Sequence, residues 1–227
     1  MQLFDLSHTI EPGMPAFSPA APQPKIYPWM SHSQAASNGN YEGCTCEITE
    51  IRLVTSMGTY LDSPYHFHPE RKSIEGLDLR QVVLPGIRVD CTFAEKRQPI
   101  GPEVLNGLQI SGKAVLFHTG WSRYWGMNEY NAYPTLTKDT AEALRDGGAK
   151  LAGVDFLTID NSRDPKRPVH VTLLKNDILI VENLTNLKSL PEGRFMFHAA
   201  PVKIAGAASF PVRAYAVVDQ EARYSDG

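Results

Sequence analysis

The chain has 227 residues, 42% apolar and 21% charged, an ordinary globular composition with enough length for one large α/β domain. Its formal net charge of −3 provides no field to gather phosphate backbones or anionic lipid. Nucleic acid and membrane partners are therefore not expected, and a small molecule is.

The opening Met1–His8 lacks a basic region followed by a long apolar core, and no stretch approaches the roughly 20 apolar residues that span a bilayer, which predicts a cytoplasmic protein. Residues 11–40 hold Pro12, Pro15, Pro19, Pro22, Pro24 and Pro28, so an arm with little regular structure is predicted there. Phe17, Tyr27, Trp29 and Met30 are costly to leave in water and point to packing of residues 15–32 against a neighbouring subunit, in a homodimer or homotetramer. From Cys44 to Leu53 the apolar residues alternate and then change phase, the pattern of a strand bulged near Glu50. Cys44, Cys46 and Cys91 lack paired ligand spacing and read as reduced thiols buried in strands.

Thr55–Phe67 then crowds an acid, an imidazole, a phenol and turn residues together. Pro64 fixes its own φ and pushes Ser63 toward extended backbone, so Asp62 and His66 are expected on a turn rather than a helix. A strand is predicted over Gly86–Phe93, a helical turn after Pro102, and a strand buried on both faces over Ala114–His118, ending in Thr119-Gly120-Trp121. Thr137 should cap a helix running to about Asp146, with Gly147-Gly148 ending it. A strand over Ala152–Ile159 closes on Asp160, Asn161–Pro168 forms a loop, and His170–Leu174 forms a short helix. The run Ile178–Val181 delivers Glu182, which taken alone reads as a cap or surface residue, and further strands are expected around Phe195–Phe197, Val202–Ile204 and Tyr215–Val218. Helices alternate with strands, so an α/β protein is expected, although the strand-rich ends do not suit a simple doubly wound sheet.

Ser56 to His66 reads SxGTYxDxPxH and resembles the HxGTHxDxPxH motif of the cyclase and kynurenine formamidase family. Asp5-Leu6-Ser7, Gly13-Met14-Pro15, Thr119-Gly120-Trp121, Gly153-Val154-Asp155, Leu173-Leu174, Glu182-Asn183-Leu184 and Pro201 through Arg213 resemble that family's blocks, in the same order. The resemblance implies a single domain over residues 1–227 with the swivelling β/β/α fold, carrying the proline-rich arm at about 11–40. It implies an arylformamidase-like hydrolase that cleaves a C–N bond in an amide, formamide or lactam. Asp62, His170 and Glu182 would hold the metal, and His66 would do acid/base work. Ser56 and Tyr60 stand where the family has two ligating histidines. One divalent ion, zinc or manganese, is therefore expected instead of two, or none if the altered motif has lost metal binding.

Such an ion would activate water and polarise the substrate carbonyl, while an imidazole titrating near neutrality would move the proton. Tyr60 suits donation to a developing oxyanion better than metal ligation, because a phenol must first lose its proton. Trp29, Phe67 and Trp121 would suit an aromatic substrate. The competing readings are a metal-free small-molecule binding protein and a cyclising or lyase enzyme using His66 and Tyr60.

Overall fold

A computed structural model describes residues 1–18 and 20–219; Pro19 of the predicted arm and residues 220–227 lie outside the described residues. In chain order its strands are β1 (Gln2–Asp5), β2 (Lys25–Met30), β3 (Ile48–Arg52), β4 (Tyr60–Asp62), β5 (Val83–Asp90), β6 (Pro99–Ile100), β7 (Ala114–His118), β8 (Thr135–Leu136), β9 (Leu151–Val154), β10 (Leu179–Glu182), β11 (Phe195–His198), β12 (Ser209–Pro211) and β13 (Tyr215–Val218). The α-helices among the described residues are α1 (His32–Ser37), α2 (Lys138–Asp146) and α3 (Pro168–Lys175).

One sheet of nine strands in the order β1-β13-β11-β5-β7-β9-β10-β4-β12 organises the chain. Its centre, β5-β7-β9-β10, is parallel, and every pairing outward from it is antiparallel. Strands of a parallel centre are covered on both faces and need apolar side chains on both. Along β7, Val115 and Phe117 enter one core with Leu144, Val169 and Leu173 of the helices, while Ala114 and Leu116 enter a second with Leu84, Leu179, Val181 and Phe197. Each large side chain so buried contributes roughly 1.5–3 kcal/mol. At Gly153 a Cβ would come within 2.6 Å of the Leu116 side chain and 2.7 Å of Leu184, so only glycine lets those residues close over β9. The mixed α/β architecture is as expected.

α2 follows its predicted cap, with Thr137 Oγ1 accepting from the Thr140 N–H at 3.2 Å. Several local expectations need correction. The proline-rich stretch is not irregular throughout, because β2 pairs antiparallel with β3 in a separate two-stranded ribbon. Pro28 is accommodated there beside a register shift between Pro28 and Met30, since an outer ribbon strand can do without a donor. Next, Ser31 and Gln34 form a capping box that starts α1. The strand before the motif is shorter than predicted and bulged in its partner rather than near Glu50. Cys44 and Cys46 precede it, and only Cys91 is buried. β9 stops at Val154, where Asp155 turns to accept backbone and side-chain hydrogens from Thr119. Val202 and Ile204 lie outside strands. No helix among the described residues is long and apolar enough to cross a membrane.

Candidate active site

Strand pairing builds the floor of the site. β4 lies antiparallel to β10 with Tyr60 opposite Glu182 and Asp62 opposite Ile180, and the two-residue period of a strand puts Tyr60 and Asp62 on one face. Asp62 is thus on a strand, and His66 on the one-turn 3-10 helix Pro64–His66 that follows. Asn183, in a left-handed conformation with φ 57°, fixes the exit from β10: its amide donates to Gly58 O at 2.8 Å and its Oδ1 accepts from the Tyr130 hydroxyl at 2.7 Å.

His170 comes from the first turn of α3. Arg167 at the helix N-cap offers no side-chain cap, and Asp160 supplies the acceptor instead, taking the N–H groups of Val169 at 3.0 Å and His170 at 2.8 Å. The same carboxylate lies 2.7 Å from His170 Nδ1. With Nδ1–H committed to Asp160, Nε2 faces Glu182 Oε1 at 3.3 Å and Asp62 Oδ2 at 3.8 Å. Phe67 stacks on the ring, centroids 4.8 Å apart and planes at 27°. Asp160 was not predicted as a site residue; an acid closing an apolar run shortly before a histidine was the available signal.

The two inward carboxylates differ in what they accept. Each oxygen of Glu182 accepts one hydrogen bond and keeps acceptor capacity, Oε1 from the Ile159 N–H at 2.7 Å and Oε2 from the Tyr60 hydroxyl. Asp62 is completely buried, and neither of its oxygens has a hydrogen-bond partner. Burial, and next the Glu182 charge, push the Asp62 carboxyl well above the usual carboxylate range against the pull of His170. For Glu182 burial is opposed by the His170 and Tyr60 hydrogen bonds and the His170 charge, and the balance is a lowered pKa. Burial also works against a charged His170, but its bonds to Asp160 and Glu182 and the charges of Glu182 and Asp62 raise it to about 10.

His66 lies 3.8 Å from Asp62 Oδ1 through Nε2. Burial, and then the charge of His170, lower its pKa to about 4, so the imidazole is neutral at pH 7 and does not titrate near neutrality as expected. Tyr60 is held protonated, its pKa well above that of a free phenol, through burial and the neighbouring Glu182 and Asp62 charges. Ser56 turns aside to Ser209, Oγ to Oγ 2.8 Å.

These residues fit a divalent cation. Ligand atoms of Asp62, His66 and His170 lie within 4.8 Å of one another, the Asp62 oxygens are unsatisfied, and His170 Nε2 faces the Asp62 and Glu182 carboxylates, where either its own proton or a cation in the place of that proton supplies the positive charge between them. A cavity of about 290 Å³ opens over them, lined among others by Phe17, Ser56, Tyr60, Phe67, Ser162 and Arg167. A larger cavity, about 770 Å³, lies near Ile51, Leu53 and Phe210, but there Asp5 is tied to Arg213 and the His8 ring stacks on Trp125. Convergence of polar groups, not volume, selects the site. Of the three predicted aromatic contacts Phe67 lines the smaller cavity. Trp121 is buried with its indole N–H on Tyr130 O at 3.2 Å, and Trp29 lies on β2, 64% exposed. Phe17, Thr158, Ser162 and Arg167 line the cavity without having been predicted.

Residues 4–161 match the family model for Cyclase, described as "Putative cyclase". The chain belongs to the cyclase family. A kynurenine formamidase of Salinibacter ruber is 28% identical over 219 residues, covering 94% of this chain and 96% of that one. A solved structure described as a potential metal-dependent hydrolase with cyclase activity superposes with a TM-score of 0.76 at 27% identity, over 95% of this chain and 96% of that one. Isatin hydrolase A from Ralstonia solanacearum shares the fold, with a TM-score of 0.84 at 22% identity over 96% of this chain and 92% of that one.

Proposed function

We propose that this cyclase-family chain is a metal-dependent hydrolase that cleaves the C–N bond of a small aromatic formamide or lactam. The observation that carries the reading is Asp62, a completely buried carboxylate without a hydrogen-bond partner, facing two imidazoles at the base of a cavity. Kynurenine formamidase and isatin hydrolase among the similar proteins support this substrate class. One ion, zinc or manganese, would be held by Asp62 and His170 with Glu182 as the third ligand. When bound it supplies Lewis-acid polarisation of the carbonyl and a stronger nucleophile at neutral pH.

The chain's own residues do the rest. Asp160 and Phe67 orient His170 from two sides. Tyr60 remains a protonated donor, fixing the outer oxygen of Glu182 and leaving no phenolate to ligate metal. His66, neutral and at the cavity wall, has a lone pair free to accept a proton from attacking water and return it to the leaving nitrogen. Phe17 and Phe67 offer apolar faces to an aromatic ring.

A metal-free protein is the second reading, because protonated His170 could itself balance Asp62 and Glu182. Elemental analysis after purification, with hydrolysis of formanilide and isatin assayed with and without added zinc and manganese, separates the two. About one equivalent of metal with chelator-sensitive turnover is expected, and turnover indifferent to chelator would overturn the metal-dependent reading.

We further propose a cytoplasmic, single-domain protein that assembles as a homodimer or homotetramer. The ribbon of β2 and β3 supports a subunit contact, since Ile26, Tyr27, Trp29, Ile48 and Ile51 are all exposed on it. Light scattering should give a particle mass above the 25.2 kDa of one chain.

A further inference from the structure

The chemistry above draws on acids, imidazoles and a phenol and leaves two thiols aside. Cys44 and Cys46, expected inside a strand, are both free; Cys44 is exposed and Cys46 half-buried. Residues 44–47 run into β3 at Ile48 without a helix or turn. On an extended backbone the side chains at i and i+2 share one side, and the residue between them faces away. The contacts follow that pattern. Thr45 Oγ1 meets His32 Nδ1 at 2.9 Å, whereas Cys46 accepts from the Tyr41 hydroxyl and Cys44 lies near the same phenol. Gly43, at φ 70° with open space where a Cβ would stand, turns the chain between Tyr41 and Cys44, which brings the phenol back over the thiols.

Local charge points to a cation. The segment from Asn38 to Glu47 reads NGNYEGCTCE, with two acids and no Lys or Arg. Among the described residues neither Glu42 nor Glu47 forms an ion pair. The bond to Cys46 holds the Tyr41 phenol above its ordinary range, so at neutral pH it is a donor to sulfur and not a further anion.

Spacing decides between a disulfide and an ion. Cα atoms two residues apart on an extended chain are separated by about 6.5 Å. A disulfide usually joins Cα atoms about 5.5–6 Å apart and draws its sulfurs to about 2.05 Å. A metal–sulfur bond of about 2.3 Å lets an ion in line between two sulfurs hold them about 4.6 Å apart, which asks less of the backbone. Two thiolates do not complete the tetrahedron of zinc, but they suffice for a soft cation that takes two ligands.

We propose that Cys44 and Cys46 form a two-coordinate site for a soft monovalent cation, copper(I), with Tyr41 donating to the Cys46 sulfur. On binding, two S–H bonds break, two S–Cu bonds form, two protons leave to solvent, and copper stays monovalent. Neither cysteine lines the reaction cavity, whose oxygen and nitrogen donors suit a harder ion. The site therefore stands apart from the hydrolase reading.

The test uses the whole chain, reduced with a phosphine and given zinc beforehand to occupy the reaction centre. Copper(I) is then added without oxygen, with bicinchoninate as the coloured competitor. The wild type should hold one copper per chain and keep its zinc, with copper affinity falling as pH is lowered. Cys44→Ser and Cys46→Ser should each weaken copper binding by at least about 100-fold, because a hydroxyl is a hard, neutral ligand. Cys91→Ala should bind as the wild type does, and Tyr41→Phe should bind roughly 10-fold more weakly. No copper held against bicinchoninate would overturn the site, and so would equal retention in both serine variants. One copper for every two chains would replace it with a bridge between copies. Zinc bound by the same thiols as tightly as copper(I) would overturn the choice of ion. A reduced protein that takes no copper yet loses two hydrogens by mass when treated with peroxide would make the pair a redox couple instead.

Discussion

Asp62 on β4 and Asp155 just past β9 are both buried acids beside the ends of sheet strands, yet the fold surrounds them in opposite ways. Asp155 accepts the N–H and hydroxyl of Thr119 and the N–H of Gly120, the last at 2.7 Å, whereas Asp62 accepts nothing. Burial pushes Asp155 up only to about 6 because those donors oppose it, while Asp62 has His170 alone to pull it down. A buried carboxylate ringed by donors holds a turn together; one left bare beside imidazoles is prepared for a cation from outside the chain.

The sharpest way to break this contrast is Asp62→Asn. Removing the charge should lower metal content toward zero and turnover by at least about 10²-fold. The chelator-treated protein should unfold at about the same temperature as the wild type, because Asp62 makes no hydrogen bond that the substitution would break. Elemental analysis and thermal unfolding check both halves. A variant that keeps its metal, or one that is strongly destabilised, would make Asp62 a structural acid like Asp155.

Asp155 sharpens the contrast through pH. Its folded pKa of about 6 stands above the ordinary 3.8, so between those values the native state holds a proton that the unfolded chain has released. Stability from this group is fully present below pH 3.8, declines as pH rises, and is gone above about pH 6, a loss of about 3 kcal/mol. Denaturant unfolding with chelator present should show part of that decline removed in Asp155→Asn. An unchanged pH slope would mean that Asp155 is not the group responsible.

How far this contrast could be read from the chain follows from what each residue depends on. Asp62, Pro64 and His66 are close in sequence, and the apolar run Ala114–His118 displays a strand buried on both faces. Glu182 in isolation resembles a cap, and only the order of blocks shared with a family put it beside Asp62. Asp160 and Arg167 reach the site through the path of loops, which side-chain type does not reveal. β2 was hidden because proline argues against strands in general, although an outer ribbon strand tolerates it.

Asp160→Asn tests the layer behind the metal. The amide has one acceptor oxygen where the carboxylate uses two, so it can keep the His170 N–H and Nδ1–H or the Val169 N–H but not both, and it holds Nδ1–H without a charge, so the His170 tautomer is less firmly set. Metal affinity should fall by roughly 10–100-fold while the fold persists. Equilibrium dialysis gives the number, and unchanged affinity would remove Asp160 from the site.

The smallest effect should come from Phe67→Leu. Phe67 holds the His170 ring by stacking, 4.8 Å between centroids, and it lines the reaction cavity. An aromatic contact of this kind contributes about 0.5–1.5 kcal/mol beyond its buried area, and leucine keeps most of that area. Metal affinity should therefore drop by only a few-fold. If the cavity takes an aromatic ring, the same change should also raise KM for formanilide more than it lowers kcat, because binding is lost equally in ground and transition states. Metal affinity and KM both unchanged would reduce Phe67 to packing. A loss of metal as large as that of Asp160→Asn would instead show that stacking, and not the Asp160 carboxylate, sets the orientation of His170.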